Sequence, residues 1–411
     1  VKLSRVARRV GHSGTLAVDE RMQQLRSRGH DIVSLGAGQL DSETPGPVCD
    51  AGVRAIQEGR TRYTAVAGTP SLIEAVRAKF ARENGIDYSA DEVMVAAGAK
   101  AALFHALFAL VDPEDVVIVP TPGWPSYASM IQVLGAHVAP ARTEPAAGYK
   151  LTMQILMDTV TSAKGRARGL VLNSPHNPTG AVYSRAELVR LAEVAKGEGL
   201  WVLSDEIYEH LIYDGAFTSV AALPGMREST VTVNSVSKTF AMTGWRIGYA
   251  GGPRSVIQAM VALQSHTSGN PCSISQEAAE AALRLSVEGD PRMRDERMRL
   301  VATLRGRRDL ACRELAGIPG VAVTKPEGAF YVYADFSRYF GREVLGRRIQ
   351  GSSDLAEVLV EQAGVAVVPG AVFGDDRSLR LSIATSSEEL AVALQRIRRA
   401  LAGETRAASP R

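Results

Sequence analysis

Gly169-Leu170-Val171-Leu172-Asn173, then Ser184-Arg185-Ala186-Glu187, then Trp201-Val202-Leu203-Ser204 mark the stretch on which the fold turns. The first and last pieces are brief apolar runs, as strands buried on both faces are. Between them Ser184 and Glu187 have the spacing of a capping box, Leu188, Leu191 and Val194 follow at helical spacing, and Gly197 and Gly199 stop the run. Strand, helix and strand in that order predict a parallel pair joined by a crossover helix. Working outward, residues 93–97, 116–119, 231–235 and 247–250 repeat the short apolar runs, with longer amphipathic ones between. The expectation is an α/β fold in which helices cover a mostly parallel central sheet.

Toward the C-terminus the texture changes. Residues 321–323, 330–333, 365–368 and 379–383 read as short strands mixed with helices, and the last helix is expected to begin at the capping box Thr385-Ser386-Ser387-Glu388. The organisation expected is a large domain over residues 48–295, a smaller α+β domain over 296–403 joined by the N-terminal segment 1–47, and a polar tail over 404–411 that frays.

Composition narrows the function. Lys+Arg 47 against Asp+Glu 44 leaves +3, and the basic residues are scattered, which argues against a nucleic-acid surface. The most basic stretch, 292–313, is interleaved with Leu300, Leu304, Leu310 and Cys312, and its arginines are expected on a solvated helix face. Cys49, Cys272 and Cys312 are odd in number and far apart, so neither a disulfide framework nor a thiolate metal site is expected. The longest apolar stretch, 101–111, is interrupted by His105 and too short to span a bilayer, and no apolar run follows the basic N-terminal residues. A cytoplasmic protein without a membrane partner is expected.

The purposeful polar residues stand just after the strands, the edge of an open α/β sheet where ligands bind. In Asn234-Ser235-Val236-Ser237-Lys238, a lysine follows a buried strand; such an amine can lose its proton and attack an aldehyde to form a Schiff base, although an exposed loop lysine is the plainer reading. Ser235 and Arg246 flank it and suit a phosphate dianion. Asp205 can cap a helix, bind a cation, or hold a proton on the ring nitrogen of a pyridine cofactor, with Tyr208 three positions on to meet a phenolic oxygen. Ser174-Pro175-His176-Asn177-Pro178-Thr179-Gly180 is a stiff turn, plain or built to aim the Asn177 amide; His176 reads as a bystander, not a metal ligand. Gly98-Ala99-Lys100 opens a helical run whose free N–H groups can meet an anion, and the Trp124 indole can stack on a planar ring or simply fill core. Arg380, between Leu379 and Leu381, either makes a surface ion pair or grips a carboxylate by two parallel bonds.

Taken together, Ser-Pro-His-Asn-Pro-Thr-Gly from Ser174, Ser-Asp-Glu-Ile-Tyr from Ser204, and Ser-Lys-Thr-Phe-Ala-Met-Thr-Gly-Trp-Arg-Ile-Gly-Tyr from Ser237 resemble, in order and spacing, the class I and II aminotransferases of the aspartate aminotransferase type. The resemblance runs from about Leu16 to Leu401. It implies the three-layer fold type I of pyridoxal 5'-phosphate enzymes and transfer of an amino group from an α-amino acid to a 2-oxo acid. It further implies that Lys238 carries the cofactor and moves the proton at the α carbon, that Asp205 pairs with the pyridine nitrogen, and that Tyr208 and Asn177 meet the phenolic oxygen. Gly98, Ala99, Lys100, Ser235 and Arg246 fall in the phosphate site, Trp124 stacks on the ring, and Arg380, with Gly38 and Asn177, holds the substrate. Tyr63 would arrive from the neighbouring subunit of a homodimer with shared active sites.

One segment departs from the pattern. Gly38-Gln39-Leu40-Asp41-Ser42 stands where these enzymes commonly have Gly-Glu-Pro-Asp-Phe, so a charge and a proline are missing beside the substrate entrance. The residues also leave open a biosynthetic enzyme on the same frame that carries out β or γ elimination, substitution, or decarboxylation-linked deamination through the same α-carbanion. The residues argue against a dinucleotide-binding oxidoreductase, since no strand runs into Gly-x-Gly-x-x-Gly with an acidic residue about 20 positions on.

Overall fold

A computed structural model describes residues 2–4, 6–11 and 14–404. Residues 405–411, most of the expected tail, lie outside the described residues. The central sheet has seven strands: β1 (Val93–Ala96), β2 (Val116–Thr121), β3 (His137–Arg142), β4 (Ala167–Asn173), β5 (Trp201–Asp205), β6 (Thr230–Ser235) and β7 (Gly248–Gly251). Their spatial order is β1-β7-β6-β5-β4-β2-β3, parallel throughout except at β7, which runs antiparallel to both its neighbours.

Three layers follow from the alternation of side chains along each strand. Val117, Val119, Val171 and Leu203 pack with Leu103, Ala106 and Leu107 of helix α1 (Ala99–Leu110) on one face. Val116, Ile118, Leu170 and Val202 pack with Leu188, Leu191 and Ala195 of helix α2 (Arg185–Gly197) on the other. Each such buried aliphatic side chain contributes about 1.5–3 kcal/mol. The expected capping box starts α2, with the Ser184 side chain accepting from Glu187 N–H at 3.3 Å and Glu187 Oε2 accepting from Ser184 N–H at 2.7 Å.

A second sheet of four antiparallel strands orders Val368–Pro369, Ser378–Ser382, Tyr331–Asp335 and Ala322–Val323. The N-terminal segment reaches this smaller domain through Val33–Ser34, which pairs in parallel with Val365–Ala366. Helix α3 (Pro291–Ala316) links the two cores: Met293 packs with residues of the large sheet, while Leu304, Ala311 and Leu315 pack with those of the small one.

Two local expectations are corrected, and one strand lies where none was expected. The arginines of 292–313 are not all solvated, because α3 is packed on more than one side. Arg308 is 1% exposed and bonds Asp214 at 2.6 Å and the Pro326 carbonyl at 3.1 Å, and Arg307 grips Asp41 through two bonds of 2.9 and 2.8 Å. The last helix, Ser387–Leu401, is capped one residue later than expected, by Ser386 accepting from Glu389 N–H at 3.1 Å. Edge strand β3 carries no apolar signature because much of it faces solvent, and Pro140 is tolerated there because one side of the strand is unpaired.

Candidate active site

The parallel register sets the C-terminal ends of β4, β5 and β6 side by side, with Asn173 opposite Asp205 and Asp205 opposite Val233. A cavity of about 760 Å³ opens above these ends, closed from the other side by Gly36, Gly38, Tyr331 and Arg380. Lys238, Asp205, Asn177, Tyr208, Ser235, Arg246, Ala99, Lys100, Trp124, Gly38 and Arg380 all line it. Residues from five separate stretches of the large domain, the N-terminal segment and the small domain are thus brought to one place.

Lys238 belongs to a four-residue helical turn, Val236–Thr239, that leaves β6. Ser235 caps the turn, accepting from Ser237 N–H at 2.9 Å, and donates its hydroxyl proton to the Ile247 carbonyl at 2.9 Å. The Lys238 amine donates to the Gly38 carbonyl and lies 5.7 Å from the centroid of the Phe330 ring. Burial pushes its pKa down to about 8, with the cations Arg246 and Arg380 acting in the same direction and Asp205 opposing. About a tenth of the amine is therefore neutral and nucleophilic at pH 7, far more than for a lysine at its ordinary value.

Asp205 is fully enclosed. Burial pushes its carboxyl up to about 6, against the pull of Tyr127, whose hydroxyl donates to Oδ2 at 2.6 Å, and of Ile207 N–H, which donates to Oδ1 at 3.3 Å. A carboxylate held so, with no fixed cation bonded to it among the described residues, is suited to a protonated ring nitrogen. Asn173 ties the neighbouring turn to this strand: Nδ2 donates to the Asp205 carbonyl at 2.9 Å, and Oδ1 accepts from Asn177 N–H at 2.8 Å. His176 is buried, meets Thr179 Oγ1 at 2.7 Å, and is pushed down to about 4, which keeps it neutral.

Arg380 is 3% exposed. Its Nη1 donates to Asn177 Oδ1 at 3.1 Å and its Nη2 to the Gly36 carbonyl at 2.8 Å, while Nε has no partner among the described residues. The guanidinium lies 4.4 Å from the Tyr331 ring centroid and 5.1 Å from that of Phe373. A buried cation without a carboxylate is costly, and an incoming carboxylate would relieve it. Tyr208 places its hydroxyl 3.0 Å from that of Tyr331.

At the start of α1, Gly98 has φ of 89° and provides no side-chain cap. A Cβ there would lie 2.3 Å from Arg246 Nη2, and one on Gly248 would lie 2.2 Å from Ala99 N, so only glycines admit this approach of helix, strand and guanidinium. The result is an anion cradle built from a helix N-terminus, Ser235 and Arg246. Lys100 holds its ammonium 4.9 Å from the Trp124 ring centroid, and Trp124 meets Tyr127 edge-on at 5.1 Å. Tyr63 is not in this cavity; it is 98% exposed.

The sequence reading missed Tyr127, Asn173, Gly36 and Tyr331. Tyr127 and Asn173 lie close to residues already singled out, but the partner each bonds is fixed by the order of the strands. Tyr331 and the Gly36 carbonyl carry no signal, because their roles arise only from the docking of the small domain.

The family model for aminotransferase class I and II matches residues 30–397. The chain is 43% identical to an aspartate aminotransferase of Rhizobium meliloti over 392 residues, covering 94% of this chain and 93% of that one. It is 43% identical over 405 residues to an aspartate/prephenate aminotransferase of Cereibacter sphaeroides, covering 98% and 99%. The crystal structure of the Rhizobium meliloti aspartate aminotransferase superposes with a TM-score of 0.91 at 41% identity, covering 98% of this chain and 99% of that one. The chain belongs to the class I and II aminotransferases, enzymes of the pyridoxal-phosphate fold type I.

Proposed function

We propose that this protein binds pyridoxal 5'-phosphate through Lys238 and transfers the amino group of an α-amino acid to a 2-oxo acid, working as a homodimer. The observation that carries the reading is the convergence of Lys238, Asp205 and Arg380 on one cavity, the first with a lowered pKa, the second buried with no cation bonded to it and the third buried with no carboxylate bonded to it among the described residues. The residues fit the cofactor: the cradle that a Cβ on Gly98 would fill suits a phosphate, Asp205 a protonated pyridine nitrogen, Tyr208 and Asn177 its phenolic oxygen, and Trp124 its ring face.

When bound, the cofactor supplies an electron-poor ring that takes up the electron pair left at the substrate's α carbon. The chain does the rest. Arg380 grips the α-carboxylate, with Asn177 steadying the guanidinium, and so orients the α C–H bond. Asp205 holds the proton on the ring nitrogen, and Tyr127 keeps that carboxylate ionised. The Lys238 amine would be the base that takes the proton from the α carbon and the acid that gives it back. Over the two half-reactions water would supply the carbonyl oxygen of the product 2-oxo acid, and the donor's nitrogen, kept by the cofactor, would pass to the acceptor 2-oxo acid.

The names of the relatives make aspartate the first donor to assay. A yellow absorbance band in the purified protein, lost on borohydride treatment with a permanent mass increment on the Lys238 peptide, is the expected signature; a protein lacking it sinks the proposal. Amino acids supplied with and without a 2-oxo acid then separate reactions. Stoichiometric consumption of the acceptor is expected, and release of ammonia or of a side-chain leaving group without it would point to a lyase instead.

A further inference from the structure

The helix Gly14–Ser27 supplies one wall of the cavity through Leu16, Asp19, Met22, Gln23 and Arg26. None of these has a part in anchoring the cofactor or the α-carboxylate. Arg26 is engaged elsewhere, its Nε and Nη2 donating to the Ile32 carbonyl at 3.3 and 2.8 Å. Asp19 is not engaged: among the described residues no donor bonds its carboxylate. Its Oδ1 lies 3.8 Å from the position of a Cβ on Gly36, and the Gly36 carbonyl is the acceptor for Arg380 Nη2. The carboxylate and the clamp therefore meet at one residue. Burial raises the Asp19 pKa and Arg380 lowers it, so Arg380 is the charge that compensates this acid.

That compensation ends when a substrate binds. An α-carboxylate on Arg380 neutralises the cation and leaves Asp19 unbalanced beside the bound molecule. An acidic side chain would add a further negative charge to the same enclosed space, whereas an amine or another donor would supply what Asp19 lacks. Lys100, a cation of the cavity without a hydrogen-bonded partner among the described residues, acts in the opposite sense on an acidic side chain.

We propose that Asp19 is a specificity-determining residue that biases the side-chain pocket against acidic substrates and toward side chains ending in an amine or other hydrogen-bond donor. This rests on the aminotransferase reading, since it takes Arg380 as the α-carboxylate clamp. The test compares the holoenzyme with Asp19→Asn and Asp19→Ser, measuring by calorimetry the Kd of succinate, a dicarboxylate, against that of propionate, a monocarboxylate. Removing the charge is expected to tighten succinate about tenfold more than propionate in both variants, and to raise the ratio of kcat/KM for aspartate over ornithine by a similar factor. Equal shifts for the two acids, no shift, or a shift confined to one variant overturns the proposal. The binding arm needs no turnover, so an enzyme that transaminates nothing refutes the proposed reaction, while the succinate-to-propionate ratio still decides on Asp19.

Discussion

Arg380 and Tyr127 show how a single side chain acts here through what surrounds it. Arg380 makes two hydrogen bonds and keeps Nε unpaired in a nearly closed site, so its cation is available for a carboxylate. Arg380→Ala is therefore expected to raise KM for the amino donor about a hundredfold while the absorbance of the bound cofactor persists; loss of the cofactor instead would mean the residue is misassigned. Arg380→Lys should rescue little, because an ammonium cannot reproduce the planar fork. Tyr127 donates to Asp205 and lowers a pKa that burial has raised to about 6. Removing that bond in Tyr127→Phe lets the Asp205 pKa rise further, so more of the carboxylate is protonated near neutral pH. The expected result is a kcat lowered about tenfold, with the acid limb of its pH profile moved to higher pH. An unmoved limb would show that Asp205 is not the group titrating there. Lys238, Asp205 and Asn177 were legible in the sequence because each follows an apolar strand that has no other use for a polar residue. Tyr127 was not, since its partner lies 78 positions away and only the sheet order brings the two together.

Elements were legible in proportion to how far burial wrote itself into their composition. The strands β4, β5 and β6 are apolar because both faces are covered, and the sequence reading places them within two residues at either end. Strand β3, half exposed at the edge, and the buried arginines of α3 escaped for the same reason: their environment is decided by neighbours distant in sequence. The turn after β5 adds a testable charge. Glu206 is 1% exposed and accepts from the Ser204 and Ser219 hydroxyls, each at 2.8 Å. Burial, reinforced by Glu209, pushes its pKa from 4.5 up to about 8, while the two hydroxyls pull the other way. The folded protein thus keeps a proton that the unfolded chain releases near 4.5, so the stability linked to it is complete below that value and is lost as pH rises through about 8. Urea unfolding is expected to show stability falling by roughly 1–3 kcal/mol between about pH 5 and about pH 9. Glu206→Gln, which cannot ionise, should flatten that slope, and an unchanged slope would assign it to other groups.

At the scale of the whole molecule, the loop that carries Tyr63 is held far more firmly than an idle surface loop requires. Gln276, fully buried, donates to Thr64 Oγ1 at 3.0 Å and accepts from Thr69 N–H at 2.8 Å, and Gln264 donates to the Val66 carbonyl at 2.7 Å. Yet the tyrosine these bonds present is almost wholly exposed, and Val53 and Ile56, on the helix Gly46–Gln57, are 51% and 57% exposed. A rigid loop displaying an aromatic hydroxyl away from its own cavity makes sense if a second copy of the chain receives it, which is the shared-site homodimer proposed above. Each site would then need Lys238 from one protomer and Tyr63 from its partner, and two defective chains should repair each other. Tyr63→Ala and Lys238→Ala, each nearly inactive alone, are mixed after mild denaturation and allowed to reassociate. A heterodimer contains one site with both native residues, so random pairing is expected to restore about a quarter of the native activity per site. If the mixture stays as inactive as its components while sedimentation shows that heterodimers have formed, Tyr63 does not serve the partner's site.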